Sequence, residues 1–414
     1  MRFKNIRAFE FIALMSFTMS LVAVSIDAVL PALPAIALEL GFITLQHSQM
    51  VVSLFVLGMV FGELLFGPLC DANGRRPALV LGVGVFCLGT AIAMGADNFE
   101  QMGLARVLQG LGAAGPKIVC RAVIRDRFEG AAMARMMSLI FTVFILVPMI
   151  APMIGQGLLL AAGWRWIFGL YLFWAGIAGL WFMIRQPETL ARDQRVPLSL
   201  KRLCLNSGRI FKSRKVMAYT CASGMVFGTQ LLFLATAQAV FSQIYHVGSM
   251  FAVYFAVLAA SLGLATLINS RLVAATCGMH KMVLYGAVGH IIFAGLLFGV
   301  SLVTDPGPAF VWFMVLQFMM HFCMGIVFGN LGALAMQPLG RIAGLGASLM
   351  AAVSSLIAVL FATLCGWFYD ATLLPLALGY FAAGMVTLQL LRIGHRASGD
   401  VVYPVNLSDA PVPN

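Results

Sequence analysis

The chain has 414 residues, of which 61% are hydrophobic and only 10% charged, with a formal net charge of +11 and a mean hydropathy of +0.97. A soluble domain carries about 25% charged residues, so this composition excludes an ordinary soluble protein and implies an all-α integral membrane protein. So few residues lie outside apolar runs that no nucleic-acid module accounts for the excess of Lys and Arg, and no nucleic-acid partner is expected.

At about 20 mainly apolar residues per span, twelve helices are predicted, over 10–33, 47–69, 77–96, 100–122, 133–160, 165–184, 216–240, 249–271, 281–304, 308–335, 343–368 and 371–393. The start Met1-Arg-Phe-Lys-Asn-Ile-Arg7 followed by an apolar run resembles a signal peptide, but the run continues to Pro31 without a small-residue cleavage site. It reads as an uncleaved first helix. Twelve spans with the N-terminus inside place all but Arg106, Lys117 and Arg165 of the 26 Lys and Arg on the cytoplasmic side, as the positive-inside rule requires. The expected organisation is a six-helix half at 1–184, a basic cytoplasmic linker at 185–215, a second six-helix half at 216–394 and a disordered cytoplasmic tail at 395–414. Cys70, Cys87, Cys120, Cys204, Cys221, Cys277, Cys323 and Cys365 show no paired spacing, so no disulfide, metal site or cofactor is expected.

The ionisable residues within the spans are few. Asp27 in helix 1 and Arg106 in helix 4 fall at matching depth, each about six residues, or ~9 Å, from the outer surface. A lone charge there costs several kcal/mol, so the two need mutual pairing or a wet cavity; they form either a structural ion pair or a site of proton or substrate coupling. Arg106, Gly110, Lys117 and Arg121 share one stripe of helix 4, where Gly110 and Ala113 leave room for a partner helix or a ligand. Glu63 in helix 2 and Lys117 lie in the cytoplasmic half, either paired or each snorkelling to the surface. Glu10 reads as interfacial. Gln230, Gln238, Asn269, Gln317 and Asn330 line a substrate cavity or bond between helices. His290 and His321 are packed or interfacial more readily than relay groups. No acid falls within helices 7 to 12, so proton handling is expected in the first half. Pro148, Pro152 and Gly155 weaken the backbone of helix 5 and suit a moving interface.

Between helices 2 and 3 stands Gly67-Pro-Leu-Cys-Asp-Ala-Asn-Gly-Arg-Arg76. Here Asp71 at a helix end can hold Arg75 or Arg76, or cap the next helix, while Gly74 permits the turn. This stretch resembles the signature loop of the major facilitator superfamily, matching it at Gly67, Leu69, Asp71, Gly74, Arg75 and Arg76. Asp27-Ala-Val-Leu-Pro-Ala-Leu-Pro34 resembles the helix 1 motif of the twelve-span drug:proton antiporters, in the form of the bicyclomycin and chloramphenicol resistance (Bcr/CflA) branch. Arg106-Val-Leu-Gln-Gly110, Ala151-Pro-Met-Ile-Gly155, Gly163-Trp-Arg-Trp-Ile-Phe168 and Pro187-Glu-Thr189 are similar to further motifs of that family. Glu63, where the branch usually has glutamine, and Lys117 depart from it.

The resemblance implies a monomer of the bacterial inner membrane, with both termini cytoplasmic, that exports small hydrophobic drug-like molecules in exchange for protons by alternating access. It implies proton coupling at Asp27 and Arg106 and a substrate cavity at Glu63, Gly110, Lys117, Arg121, Gln230, Gln238 and Asn330. A conformational clasp at Gly67, Asp71, Gly74, Arg75 and Arg76 and an antiporter motif at Pro148, Pro152 and Gly155 complete the expected set. The stripe of Arg106, Lys117 and Arg121 also suits an anionic small metabolite. A membrane-embedded enzyme is the weaker alternative, because the chain holds no His-Glu-x-x-His, Gly-x-Ser-x-Gly or phosphate-loop motif.

Overall fold

The computed structural model describes residues 8–41, 45–128, 130–195, 200–272 and 278–397. Inside a bilayer every backbone N–H and C=O must be paired within the segment, which favours helices, and helices account for nearly all of the described chain. The first span is broken into three pieces, α1 (Ala8–Met19), α2 (Leu21–Asp27) and α3 (Leu33–Glu39), with a 3-10 turn at Leu30–Ala32. The others of the first half are α4 (Leu45–Asn73), α5 (Arg75–Met94), α6 (Phe99–Arg127), α7 (Gly130–Ala162) and α8 (Arg165–Arg185). After a short helix α9 (Leu200–Lys212) come α10 (Arg214–Ala239), α11 (Phe251–Leu272), α12 (Gly278–Ser301), α13 (Phe310–Met336), α14 (Ala343–Trp367) and α15 (Leu374–Arg396).

Among the described residues, eleven helical segments are long and apolar enough to cross a membrane. The twelfth predicted span is α7, whose 33 residues include the apolar stretch Leu146–Ala162. Four boundaries differ from expectation. The first span runs on to Glu39, so Asp27 lies a dozen residues from that end rather than six. Residues 67–77 are helical except at one turn residue, because the positive φ of Gly74 (+105°) suffices to redirect the chain. The segment expected as a linker contains α9, and α15 continues through His395 to Arg396 where the tail was to begin; residues 398–414 lie outside the described ones.

In the first half α6 packs between α4 and α5, while α7 and α8 close around α1 and α2. In the second half α10 packs on α13, α14 and α15, and α12 fits between α13 and α15. The halves meet along α4–α14 and α7–α11. The second helix of each half thus faces the fifth of the other, the pairing that a two-fold relation between parallel repeats produces. Along α4–α14 the close approaches are Gln49 with Gly366, Glu63 with Ser355 and Gly67 with Ser348. These contacts run over 18 residues of α4, about 27 Å of helix, so this seam is shut through most of the apolar thickness. The end holding Gly74, Arg127 and Arg185 is hereafter the basic end.

Candidate functional site

The break in the first span follows from its prolines. Pro31 and Pro34 have no N–H to return to the carbonyls of Asp27 and Leu30, and α2 ends at Asp27. The carbonyl of Ser25 near that end is taken by two side chains from other helices. Arg106 donates to it from Nη2 at 3.0 Å and Tyr171 from its hydroxyl at 3.3 Å. Arg106, fully buried, also donates from Nε to the Val51 carbonyl at 2.9 Å and from Nη1 to Gln109 Oε1 at 2.8 Å. Its guanidinium lies 4.6 Å from the centre of the Phe55 ring, and Gln109 passes the chain of bonds to Thr90 at 2.9 Å. One cation thereby ties α2, α4 and α6 together, with α5 and α8 joined through Gln109 and Tyr171.

The expected Asp27–Arg106 ion pair is not made. Neutral acceptors occupy the guanidinium, and Asp27, only 4% exposed, forms no ion pair or hydrogen bond among the described residues. The two do share a depth, since Arg106 reaches the carbonyl two residues before Asp27. On the other side of the break, α7 touches Ala28 so closely that a Cβ at Gly155 would overlap the Ala28 carbonyl. Pro148, Pro152 and Gly155 sit in an unbroken α7, and Gly155 abuts the residue following Asp27.

Glu63 and Lys117 do pair. Lys117 Nζ lies 2.5 Å from Glu63 Oε1, and Ser355 of α14 donates to Glu63 Oε2 at 3.0 Å. Met59 Sδ is 3.8 Å from the same ammonium. Among the described side chains no other hydrogen bond, and no ion pair, crosses between the halves. Arg121, one turn beyond Lys117, makes no ion pair among the described residues, and its buried Nε has no hydrogen-bond partner among them. Gly110, expected to line a cavity, instead meets the Phe55 carbonyl, which a Cβ would overlap; its smallness serves the α4–α6 contact.

At the basic end three separated motifs converge on Arg75. Its guanidinium binds Asp71 at 2.7 Å and Asp126 at 2.8 and 3.1 Å, and Thr189 donates to Asp126 at 2.7 Å. Glu188 accepts from the backbone N–H groups of Arg75 and Arg76 at 2.9 and 3.0 Å. It caps the start of α5, where free N–H groups favour an anion. Arg76 reaches the Met183 carbonyl rather than Asp71. Gly74 is required twice over, for its φ and because a Cβ would press on Glu188. Glu10 is bound by Arg185 at this end. At the opposite end Arg165 pairs with Glu39 and donates to the Met94 and Ala96 carbonyls at 3.1 and 3.2 Å.

The second half contributes neutral polar groups. Asn330 is spent on Asn269 and the Ile326 carbonyl, both at 2.8 Å, which makes it an interhelical bond instead of a cavity wall. Gln230 and Gln238 each keep a buried side-chain oxygen with no hydrogen-bond partner among the described residues. Gln317 and His321 bond to each other on α13 at 3.1 Å, with His321 edge-on to Phe233 at 4.6 Å. Tyr171, Gln109, Thr90, Ser355 and Glu188 escaped the sequence reading of the sites. A lone Tyr or Ser in an apolar run carries no spacing signal, whereas Gln109, within Arg106-Val-Leu-Gln-Gly110, and Glu188, within Pro187-Glu-Thr189, stood inside motifs.

The sequence pattern of the Major Facilitator Superfamily matches residues 15–363. The chain is 26% identical over 367 residues to "Uncharacterized MFS-type transporter YdgK" of Bacillus subtilis, covering 87% of this chain and 89% of that one. It is 29% identical over 266 residues to a bicyclomycin resistance protein homolog of Haemophilus influenzae (64% and 67% covered). Over 264 residues it is 28% identical to the multidrug transporter MdfA of Shigella boydii (62% of each). Among solved structures it resembles the human organic anion transporter MFSD10, with a TM-score of 0.69 at 16% identity over 94% of this chain and 100% of that one.

Proposed function

The chain belongs to the Major Facilitator Superfamily and is a multi-pass membrane transporter, and from that premise we propose that it exports small hydrophobic compounds in exchange for protons. The observation that carries the reading is Asp27, a carboxyl group buried at a helix break with no ion pair or hydrogen bond among the described residues. An acid in that position is held by neither a counter-ion nor a donor, so it is free to take up and release a proton as the break opens to one side or the other. Arg106 positions the break by holding the Ser25 carbonyl. The likeness to a bicyclomycin resistance protein homolog and to the multidrug transporter MdfA supports a drug-like substrate.

The basic end faces the cytoplasm of a bacterial inner membrane in this reading, by the positive-inside rule. The cycle rocks a half at 1–184 against a half at 216–394, with 185–215 as the link and both termini cytoplasmic. The Asp71–Arg75–Asp126 cluster, docked on Glu188, holds the basic end closed until a proton or substrate is bound. The protein works as a monomer. Everted membrane vesicles with an acridine pH-gradient probe test the assignment. Chloramphenicol added to wild-type vesicles is expected to dissipate the gradient, and Asp27→Asn is expected to abolish the response at equal protein level. Undiminished dissipation in the variant contradicts the reading.

A further inference from the structure

Arg121 and Lys117 stand one turn apart on the same face of α6, and between them the nearby side chains hold too little negative charge. Glu63 is the acid beside them, and both its oxygens are occupied, one by Lys117 and one by Ser355. Asp126 and Asp71, toward the end of the helix, are committed to Arg75, with Thr189 and Arg125 as their further partners. Two cations therefore face one anion. The buried Nε of Arg121 has no hydrogen-bond partner among the described residues, and burying an uncompensated charge costs several kcal/mol. Arg106 does not belong to this group, because its donors are spent on backbone and amide oxygens.

We propose that Arg121, with Lys117 beside it, is a subsite for a carboxylate carried by the transported compound. A carboxylate matches the planar fork of a guanidinium in two parallel hydrogen bonds, and its charge would bring the cluster to two cations and two anions. Lys117 keeps 19% of its side chain exposed. The class of substrate implied is an amphiphilic anion: an apolar body with one carboxylate. The inference deepens the exporter reading by naming a substrate class, but its test involves no pH gradient, so its failure is separate from a failure of proton coupling.

The test compares 1-naphthoate with the neutral, nearly isosteric 1-naphthamide, binding to the purified full-length protein in detergent by calorimetry. The wild type is expected to bind the carboxylate at least tenfold more tightly. Arg121→Gln should erase that preference and leave the amide's affinity unchanged, and Arg121→Lys should keep part of it. Equal affinity for the two compounds in the wild type overturns the proposal without any variant, and so does an Arg121→Gln protein that weakens both compounds alike. Should Arg121→Gln not fold, the wild-type ratio and the Arg121→Lys protein still decide.

Discussion

The two buried acids of the first half differ in one respect that burial does not reveal. Asp27 is 4% exposed and Glu63 is fully buried, yet Glu63 spends one oxygen on Lys117 and the other on Ser355, while Asp27 has neither an ion pair nor a hydrogen bond among the described residues. Partner count separates a charge that fixes structure from one that can change state. Removing the charge of a paired carboxylate strands its counter-ion, whereas removing that of an unpaired one strands nothing. The positions fit that division. Glu63 lies on the seam between the halves, and Asp27 lies within one half at the break in its first span.

The largest expected effect tests this contrast in stability. Glu63→Gln leaves the partly buried Lys117 without its anion and should lower unfolding stability in detergent by about 3–5 kcal/mol. Adding Lys117→Met should restore most of the loss. Asp27→Asn strands nothing and should leave stability unchanged or raise it; a large loss there would mean that Asp27 has a counter-ion after all. Next comes Arg106→Met, which strips the Ser25 and Val51 carbonyls and Gln109 of a donor at once, an expected loss of about 3 kcal/mol in the same unfolding assay.

Gly155→Ala tests whether the break beside Asp27 depends on the close approach of α7. Its Cβ would overlap the Ala28 carbonyl, and the overpacking should cost about 2 kcal/mol and slow transport in vesicles. Normal stability and rate in that variant would show that α7 yields freely. The smallest effect belongs to Ser355→Ala, about 1.5 kcal/mol for a hydrogen bond to a charged group. It should also lengthen spin-label distances across α4–α14 at the basic end, because it removes the one side-chain hydrogen bond that joins the halves among the described residues.

Much of this was legible in the sequence because the bilayer simplifies the physics. Twelve apolar runs, the distribution of Lys and Arg, and an acid and a base at matching depth follow from hydrophobic length and charge cost alone. The Glu63–Lys117 pair was one of the two readings that two opposite charges in one half of the membrane allowed. What the sequence withheld was choice of partner. Arg106 bonds to carbonyls, which every residue carries and no spacing marks, so its failure to pair with Asp27 could not be read from residue types. Ser355 stands 292 positions from Glu63, in an apolar run with no motif. The turn at Gly74 was expected, yet its second requirement, space for Glu188, depends on a residue more than a hundred positions away.

The central claim is that Asp27, and not Glu63, is the acid that exchanges a proton with substrate. It is tested most directly by adding chloramphenicol to the purified protein in weakly buffered detergent and following released protons with a pH dye. The account predicts release by the wild type and by the Glu63→Gln, Lys117→Met double variant, and none by Asp27→Asn. Release from Asp27→Asn at the wild-type level, or its loss in the double variant alone, would contradict it.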